Sequence, residues 1–227
     1  MKKIVVTGGL GYIGMEISKL YSGTSRINSI TVIDNKFYSE RVSQLRRWGI
    51  NYQQIDVLDV ENLKKILKDA DIIYHLAGIT NVPTTIYDKS KKNSNEIRQV
   101  GITGTRNIIK YSPEFSKIIF PSTHVIYEGI KNIKKGIKES DEPKPVLEYS
   151  TGKYISENDL IKSNKNFVIL RLGSVYGMSY DSIRLNIMPN LFSKTTSLDG
   201  KIKLHNGGKQ LKSLVNVIDV ARCMRFV

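Results

Sequence analysis

The stretch Thr7-Gly8-Gly9-Leu10-Gly11-Tyr12-Ile13-Gly14 constrains the fold more than any other in the chain. The apolar run Ile4-Val5-Val6 precedes it and reads as a buried strand stopped by glycine. Ile13, Ile17 and Leu20 follow at helical spacing. In a strand, turn and helix of this kind, Gly8, Gly11 and Gly14 meet three needs. They allow a tight bend, close approach of backbone to a pyrophosphate, and close packing of helix on strand. The free N–H groups and positive dipole end of the helix then favour phosphate. Three glycines alone would be a plain turn; the strand and helix around them point to a phosphate cradle.

A chain of 227 residues that is 40% hydrophobic can bury one sizeable core with room for a small extra lobe. No stretch approaches the ~20 apolar residues of a membrane span. Met1-Lys2-Lys3 runs straight into a strand too short for a signal-peptide core, so no targeting segment is expected. Cys223 is the single cysteine, which excludes an internal disulfide and a zinc pattern and fits a reducing cytoplasm. The 35 Lys+Arg against 21 Asp+Glu give a net charge of +14, a balance that raises nucleic acid as a partner. The lysines are dispersed, however, and the one dense stretch, Lys131 to Lys138, lies just before Asp141-Glu142-Pro143 and reads as a solvated loop. No nucleic-acid partner is expected; the field instead suits anionic ligands.

Ser29-Ile30-Thr31-Val32-Ile33 reads as a second strand ending at Asp34, 20 residues after the last glycine of the turn. A carboxylate there can accept bonds from adenosine ribose hydroxyls and repels a 2′-phosphate, which favours NAD over NADP. Arg41, Arg46 and Arg47 follow closely and keep NADP open. Tyr52 to Ile55 leads to Asp56-Val57, a third strand ending in an acid that could meet the adenine amino group. Asp59 is placed to cap the next helix, with Leu63, Ile66 and Leu67 on its buried face. Asp71 to Leu76 is a fourth strand, followed by Ala77-Gly78, whose small size lets a cofactor lie against backbone. His75 inside that apolar strand reads as a satisfied core histidine.

A long helix is expected from Glu96 to Tyr111, with close packing against a neighbour as the reason for Gly104 in mid-helix. Lys117 to Phe120 is a fifth strand leading into Pro121-Ser122-Thr123-His124, and Asn166 to Leu172 is a sixth. Strands alternate with helices and each reads as nearly wholly apolar. The expected fold is α/β, a doubly wound parallel sheet covered on both faces.

Tyr149 and Lys153 lie four apart in a helical pattern running from Tyr149 to Leu160. That spacing puts phenol and ammonium on one face, one turn apart. A nearby cation is expected to lower the phenol's pKa and make it a usable base at a hydroxyl or carbonyl. Tyr-x-x-x-Lys is common by chance; Thr123 at the end of the preceding strand and the phosphate cradle give it weight.

These segments together resemble the extended short-chain dehydrogenases/reductases of the NAD-dependent sugar-nucleotide epimerase/dehydratase family. The matching segments are Thr7–Gly14, Asp34-Asn35, Asp56-Val57, His75-Leu76-Ala77-Gly78, Gly104-Thr105-x-Asn107, Ser122-Thr123-x-x-x-Tyr127, Tyr149-x-x-x-Lys153 and Arg171-Leu172-Gly173-x-Val175-Tyr176-Gly177. They occur in family order and span nearly the whole chain. The resemblance implies a catalytic triad of Thr123, Tyr149 and Lys153 and a tightly held NAD. It implies NAD contacts at Gly8, Gly11, Tyr12, Ile13, Gly14, Asp34, Asn35, Asp56, Val57, Leu76, Ala77, Gly78, Tyr149 and Lys153. Thr123, Tyr149 and Asn186, the last in Asn186-Ile187-Met188-Pro189, would meet the nucleoside-diphosphate sugar. Val215 to Ala221 resembles the family's late strand-to-helix segment, and a homodimer is usual.

The departures from the pattern carry information too. Acids that usually follow the catalytic hydroxyl in dehydrating members are here His124 and Val125, so 4,6-dehydration is disfavoured. Gly101 stands where the family has an asparagine, and Lys212-Ser213 replaces a basic-acidic pair that holds phosphate. The family usually continues beyond the point equivalent to Val227. A Rossmann domain over 1–177 and a small, truncated substrate lobe over 178–227 are therefore expected, with weak sugar turnover beside intact NAD binding. Epimerisation at C4 is the reading adopted. The alternatives are an NAD(P)-dependent keto-sugar or carbonyl reductase and a non-catalytic dinucleotide-sensing or RNA-binding relative.

Overall fold

The computed structural model describes residues 1–24, 26–80, 94–130 and 136–227. Residues 131–135 of the lysine-rich stretch lie outside the described residues. The strands are β1 (Lys2–Thr7), β2 (Asn28–Asp34), β3 (Asn51–Gln54), β4 (Ile72–His75), β5 (Lys117–Thr123) and β6 (Asn166–Leu172), then the short β7 (Ser174–Tyr176), β8 (Met178–Ser179), β9 (Ser182–Ile183) and β10 (Leu214–Asn216). The helices are α1 (Tyr12–Leu20), α2 (Ser39–Arg47), α3 (Val60–Leu67), α4 (Ser94–Arg98), α5 (Gly104–Tyr111), α6 (Glu148–Ile161), α7 (Met188–Ser197) and α8 (Val217–Phe226).

The first six strands form one parallel sheet in the order β3-β2-β1-β4-β5-β6. Successive side chains of a strand point to opposite faces, so an all-apolar strand needs cover on both. In β1, Ile4 and Val6 enter one core with Ile30, Val32, Met15, Val42 and, from α8, Val217, Val220 and Met224. Val5 enters the other core with Ile33, Ile73, Ile118, Phe120, Leu63, Ile108 and Leu160. Helices α1, α2 and α8 thus cover one face, and α3, α5 and α6 the other. This is the doubly wound α/β architecture expected.

Strand β3 departs from the apolar expectation. Asn51, Gln53 and Gln54 are exposed, because β3 is an edge strand paired only with β2. The expected long helix also differs: α4 and α5 are joined by a five-residue π turn, Gln99–Thr103. Gly104 is explained as expected, since a Cβ there would fall 2.7 Å from Val57 Cγ2. β7 pairs in parallel with β10, and β8 and β9 make an antiparallel hairpin. Among the described residues no helix is long and apolar enough to cross a membrane.

The winding reverses between β1 and β4, which are neighbours in register from Ile4↔Ile72 to Thr7↔His75. A crevice opens beyond the carboxyl ends of the strands at such a reversal, and it is there that ligands sit.

Candidate active site

The glycine turn occupies that crevice. Gly8 has φ +63°, and a Cβ there would fall 2.7 Å from Ala77 N, so only glycine lets the turn lie against the end of β4. A Cβ on Gly14 would fall 2.5 Å from Gly9 Cα, which fixes how closely α1 approaches the turn. Gly11 is the N-cap of α1 and no side chain caps it. The first N–H groups of the helix, those of Tyr12, Ile13 and Gly14, therefore have no intrahelical acceptor and face the crevice end, a cradle that fits a pyrophosphate.

Acids line the far side. Asp34 Oδ2 accepts from Leu10 N–H at 3.2 Å and Oδ1 from Lys36 N–H at 3.1 Å. Burial raises the Asp34 carboxyl above the usual carboxylate range, with those two N–H bonds opposing it. Asn35 Nδ2 donates to Asp56 Oδ2 at 3.0 Å, and Asp56 Oδ1 accepts from Leu58 N–H at 2.8 Å. Val57 is buried and its carbonyl accepts from Asn107 Nδ2 at 3.0 Å. Leu76 N–H donates to Thr7 O at 3.1 Å.

On the other side of the crevice α6 is pinned near both ends. Glu128 Oε1 accepts from Val146 N–H at 2.9 Å, from Leu147 N–H at 2.7 Å and from the Ser150 hydroxyl. A carboxylate there complements the positive end of the helix. Glu157, buried on α6, accepts from Arg171 Nη2 at 2.7 Å, and Arg171 also donates to the Tyr127 hydroxyl. Between these anchors Tyr149 and Lys153 line a cleft with Ala77, Gly78, Gly101, Thr105 and Gly152. Thr123 closes β5, buried and outside the group lining the cleft, its Oγ1 accepting from Val125 N–H at 3.3 Å.

Lys153 Nζ donates to Pro121 O at 2.8 Å and lies 4.3 Å from the centre of the Phe120 ring. Burial pushes the Lys153 ammonium down to about 8, with the Glu157 carboxylate acting against it. The expectation that a cation lowers the Tyr149 phenol is overturned in sign: burial raises it, and only the Arg184 guanidinium opposes. The cause is geometric. The lysine is turned to the β5 carbonyl, while the phenol loses water on entering the cleft.

His75 is the core histidine expected, and its bonds join the two sides. Ala77 N–H donates to Thr7 Oγ1 at 3.1 Å, and Thr7 Oγ1 is 2.9 Å from His75 Nδ1. His75 Nε2 is 3.0 Å from Thr105 Oγ1, which donates to Gly101 O at 2.6 Å. The Ser156 hydroxyl of α6 donates to the same carbonyl at 3.1 Å. With each hydroxyl proton passed on, Thr7 donates to Nδ1 and Nε2–H donates to Thr105, so His75 is neutral.

Asn186 stands exposed in the turn before α7, outside the group lining the cleft. What ties this segment to the site is Arg184, which the motif reading passed over: its Nη2 donates to Thr80 O at 2.9 Å. Asn190, buried, holds it in place by donating to Arg184 O at 3.0 Å and accepting from Gly177 N–H at 2.9 Å. The Tyr12 hydroxyl donates to Gly177 O at 2.5 Å, linking α1 to the same corner. A basic residue two positions before Asn186 was the available signal.

Known proteins resemble this chain in sequence and in fold. dTDP-D-glucose 4,6-dehydratase of Dictyostelium discoideum is 24% identical over 248 residues, covering 100% of this chain and 55% of that protein. UDP-glucose 4-epimerase of Mycoplasma genitalium is 24% identical over 241 residues, covering 96% of this chain and 68% of that one. The solved UDP-glucuronic acid 4-epimerase of Bacillus cereus, in complex with UDP-glucuronic acid and NAD, superposes with a TM-score of 0.80 at 23% identity, covering 97% of this chain and 71% of the other. The chain thus spans about half the length of the dehydratase. The NAD dependent epimerase/dehydratase family matches residues 4–227, nearly the whole sequence, and the chain belongs to that family.

Proposed function

We propose that the chain acts in NAD-dependent epimerisation of a nucleoside-diphosphate sugar, at C4, through a transient keto-sugar. The observation that supports the reading is that Tyr149 and Lys153 line one cleft with Ala77 and Gly78, the residues that follow β4. The glycine cradle and Asp34 would hold NAD, which would supply a reversible hydride acceptor for the sugar carbon. Tyr149 removes the proton of the reacting hydroxyl, Thr123 holds that oxygen, and Tyr149 gives the proton back once the keto-sugar has turned over. Of the nearby cations, the Arg184 guanidinium is the one that favours the phenolate this base step needs, against the effect of burial. Residues 1–177 carry the cofactor and catalytic groups in this reading, and 178–227 reach the sugar nucleotide through Asn186 and Arg184. Dehydration would need an acid beside Thr123 to protonate a leaving hydroxyl. His124 is there instead, its Nδ1 donating to Leu172 O at 2.9 Å, followed by Val125. Relatives of both kinds exist, so these two positions favour epimerisation. By the same reading the protein works as a homodimer in a reducing cytoplasm.

The test is incubation with a panel of nucleotide sugars and chromatography for a product of unchanged mass. Tyr149→Phe should lower that conversion by ~10²–10⁴-fold while NAD binding persists, the usual share of a general acid–base group. Conversion within a few-fold of the parent would assign the base elsewhere, and net NADH consumption would make the protein a reductase.

A further inference from the structure

Arg41 on α2 lies beside Asp34, yet its guanidinium is committed elsewhere. Its Nη1 donates to Leu10 O at 2.7 Å, and the N–H of Leu10 donates to Asp34 Oδ2 at 3.2 Å. Leu10 is therefore held through its carbonyl by the arginine and through its N–H by the acid. The remaining edge of the guanidinium is turned to the β8–β9 hairpin: Nη2 donates to Asp181 O at 3.2 Å and Nε to Asp181 Oδ2 at 3.4 Å. One face is taken too, by the Tyr38 ring at 4.6 Å. The arginine side chain is 16% exposed.

The hairpin is fixed where it sits. Asp181 at its tip has φ +54°, a left-handed conformation that Asp tolerates better than most side chains. Tyr180 N–H donates to Glu16 Oε1 on α1 at 3.0 Å, and the Tyr180 hydroxyl to Gln44 Oε1 on α2 at 3.1 Å. Its ring meets Trp48 edge-on at 5.5 Å.

An arginine next to the adenosine ribose is what a 2′-phosphate requires, because its fork of N–H groups matches phosphate oxygens. We propose that Asp181 is a selectivity residue for the cofactor: by holding Arg41 against the hairpin it denies a 2′-phosphate its cation and adds to the repulsion from Asp34. Preference for NAD is then set in two places, one of them 140 residues from Arg41 in sequence. The inference rests on the proposed NAD site, with the adenosine ribose at the corner beside Arg41; it does not depend on any turnover.

Calorimetric titration of NAD and NADP into the parent, Asp181→Ala, Asp34→Ser and Asp181→Ala/Arg41→Gln proteins tests it. Asp181→Ala should tighten NADP by up to about fivefold, the range of a partly exposed ion pair, and leave NAD binding in place. Adding Arg41→Gln should cancel that gain. A gain that survives Arg41→Gln would be loss of negative charge alone and would overturn the proposal, as would no gain at all. An unchanged preference in Asp34→Ser beside an Arg41-dependent gain would remove the ribose role of Asp34 and keep that of Asp181.

Discussion

A Cβ on Gly14 would fall 2.5 Å from Gly9 Cα, and one on Gly8 2.7 Å from Ala77 N, whereas one on Gly78 or Gly101 would meet nothing within 4 Å among the described residues. All four glycines border the same crevice, yet for opposite reasons. At Gly8 and Gly14 the missing side chain lets one part of the protein touch another, and the close neighbours are backbone that cannot step aside. In the cleft beside Tyr149 the missing side chain leaves space that no atom of the described residues fills. Gly152 on α6 belongs with the second kind, its nearest neighbour being Ile102 Cγ1 at 3.9 Å. The turn is therefore a packing device and the cleft glycines are a volume device. Substitutions should separate the two by what they damage.

The largest effect is expected from Gly14→Val. Its Cβ would collide with the Gly9 backbone before the two methyl groups are counted, so α1 must lift off the turn. Overpacking commonly costs ~1–3 kcal/mol where side chains can yield; against backbone the loss should exceed ~3 kcal/mol and take NAD binding with it. Urea unfolding is the measure. A variant with parental stability would show that the turn is looser than its contacts imply and would dissolve the comparison.

Much of this contrast was legible in the chain, and the boundary follows physical range. The apolar strands, the glycine spacing and the pairing of Tyr149 with Lys153 are periodic and local, so residue order alone exposes them. The π turn at Gln99–Thr103 is a slip in helical register with no apolar signature of its own, and a continuous helix was expected instead. The polar character of β3 depends on its place at the sheet edge, which topology decides. Arg184, Glu128 and Asp181 act through contacts made only after folding. The sign of the Tyr149 shift failed for the same reason: helical spacing places the lysine one turn away, but burial and the Pro121 carbonyl decide where its proton points.

An intermediate effect is expected at the seam between turn and cleft, where His75 joins Thr7 to Thr105. Burial pushes His75 from 6.5 down to about 3, the neighbouring Lys153 charge adding to the shift. The folded pKa is depressed, so below 6.5 the unfolded chain takes up a proton that the folded chain refuses. Stability contributed by neutral His75 is thus complete above 6.5 and falls as pH drops toward 3, by ~1.4 kcal/mol per unit. His75→Gln should lose this slope, making its stability about 2 kcal/mol less sensitive than the parent's between pH 6.5 and 5. Parallel slopes in urea titrations at the two pH values would mean that the seam opens to water in acid, leaving turn and cleft uncoupled.

The smallest effect carries the sharpest test of the volume argument. Gly101 lies in helical backbone, where glycine costs ~0.5–1 kcal/mol relative to alanine because the unfolded chain has more freedom to lose. Its carbonyl accepts from Thr105 and Ser156 whatever its side chain, and a Cβ would meet nothing within 4 Å among the described residues. Gly101→Ala should therefore stabilise the unliganded protein by that ~0.5–1 kcal/mol, a rise readable by thermal unfolding. Its methyl group would also project into the space beside Tyr149 and Lys153, so NAD affinity measured by calorimetry should fall. Higher stability with weaker NAD binding would show that glycine is kept there for the ligand. Higher stability with unchanged affinity would show that the open space serves no nucleotide, and the contrast with Gly14 would then be one of packing alone.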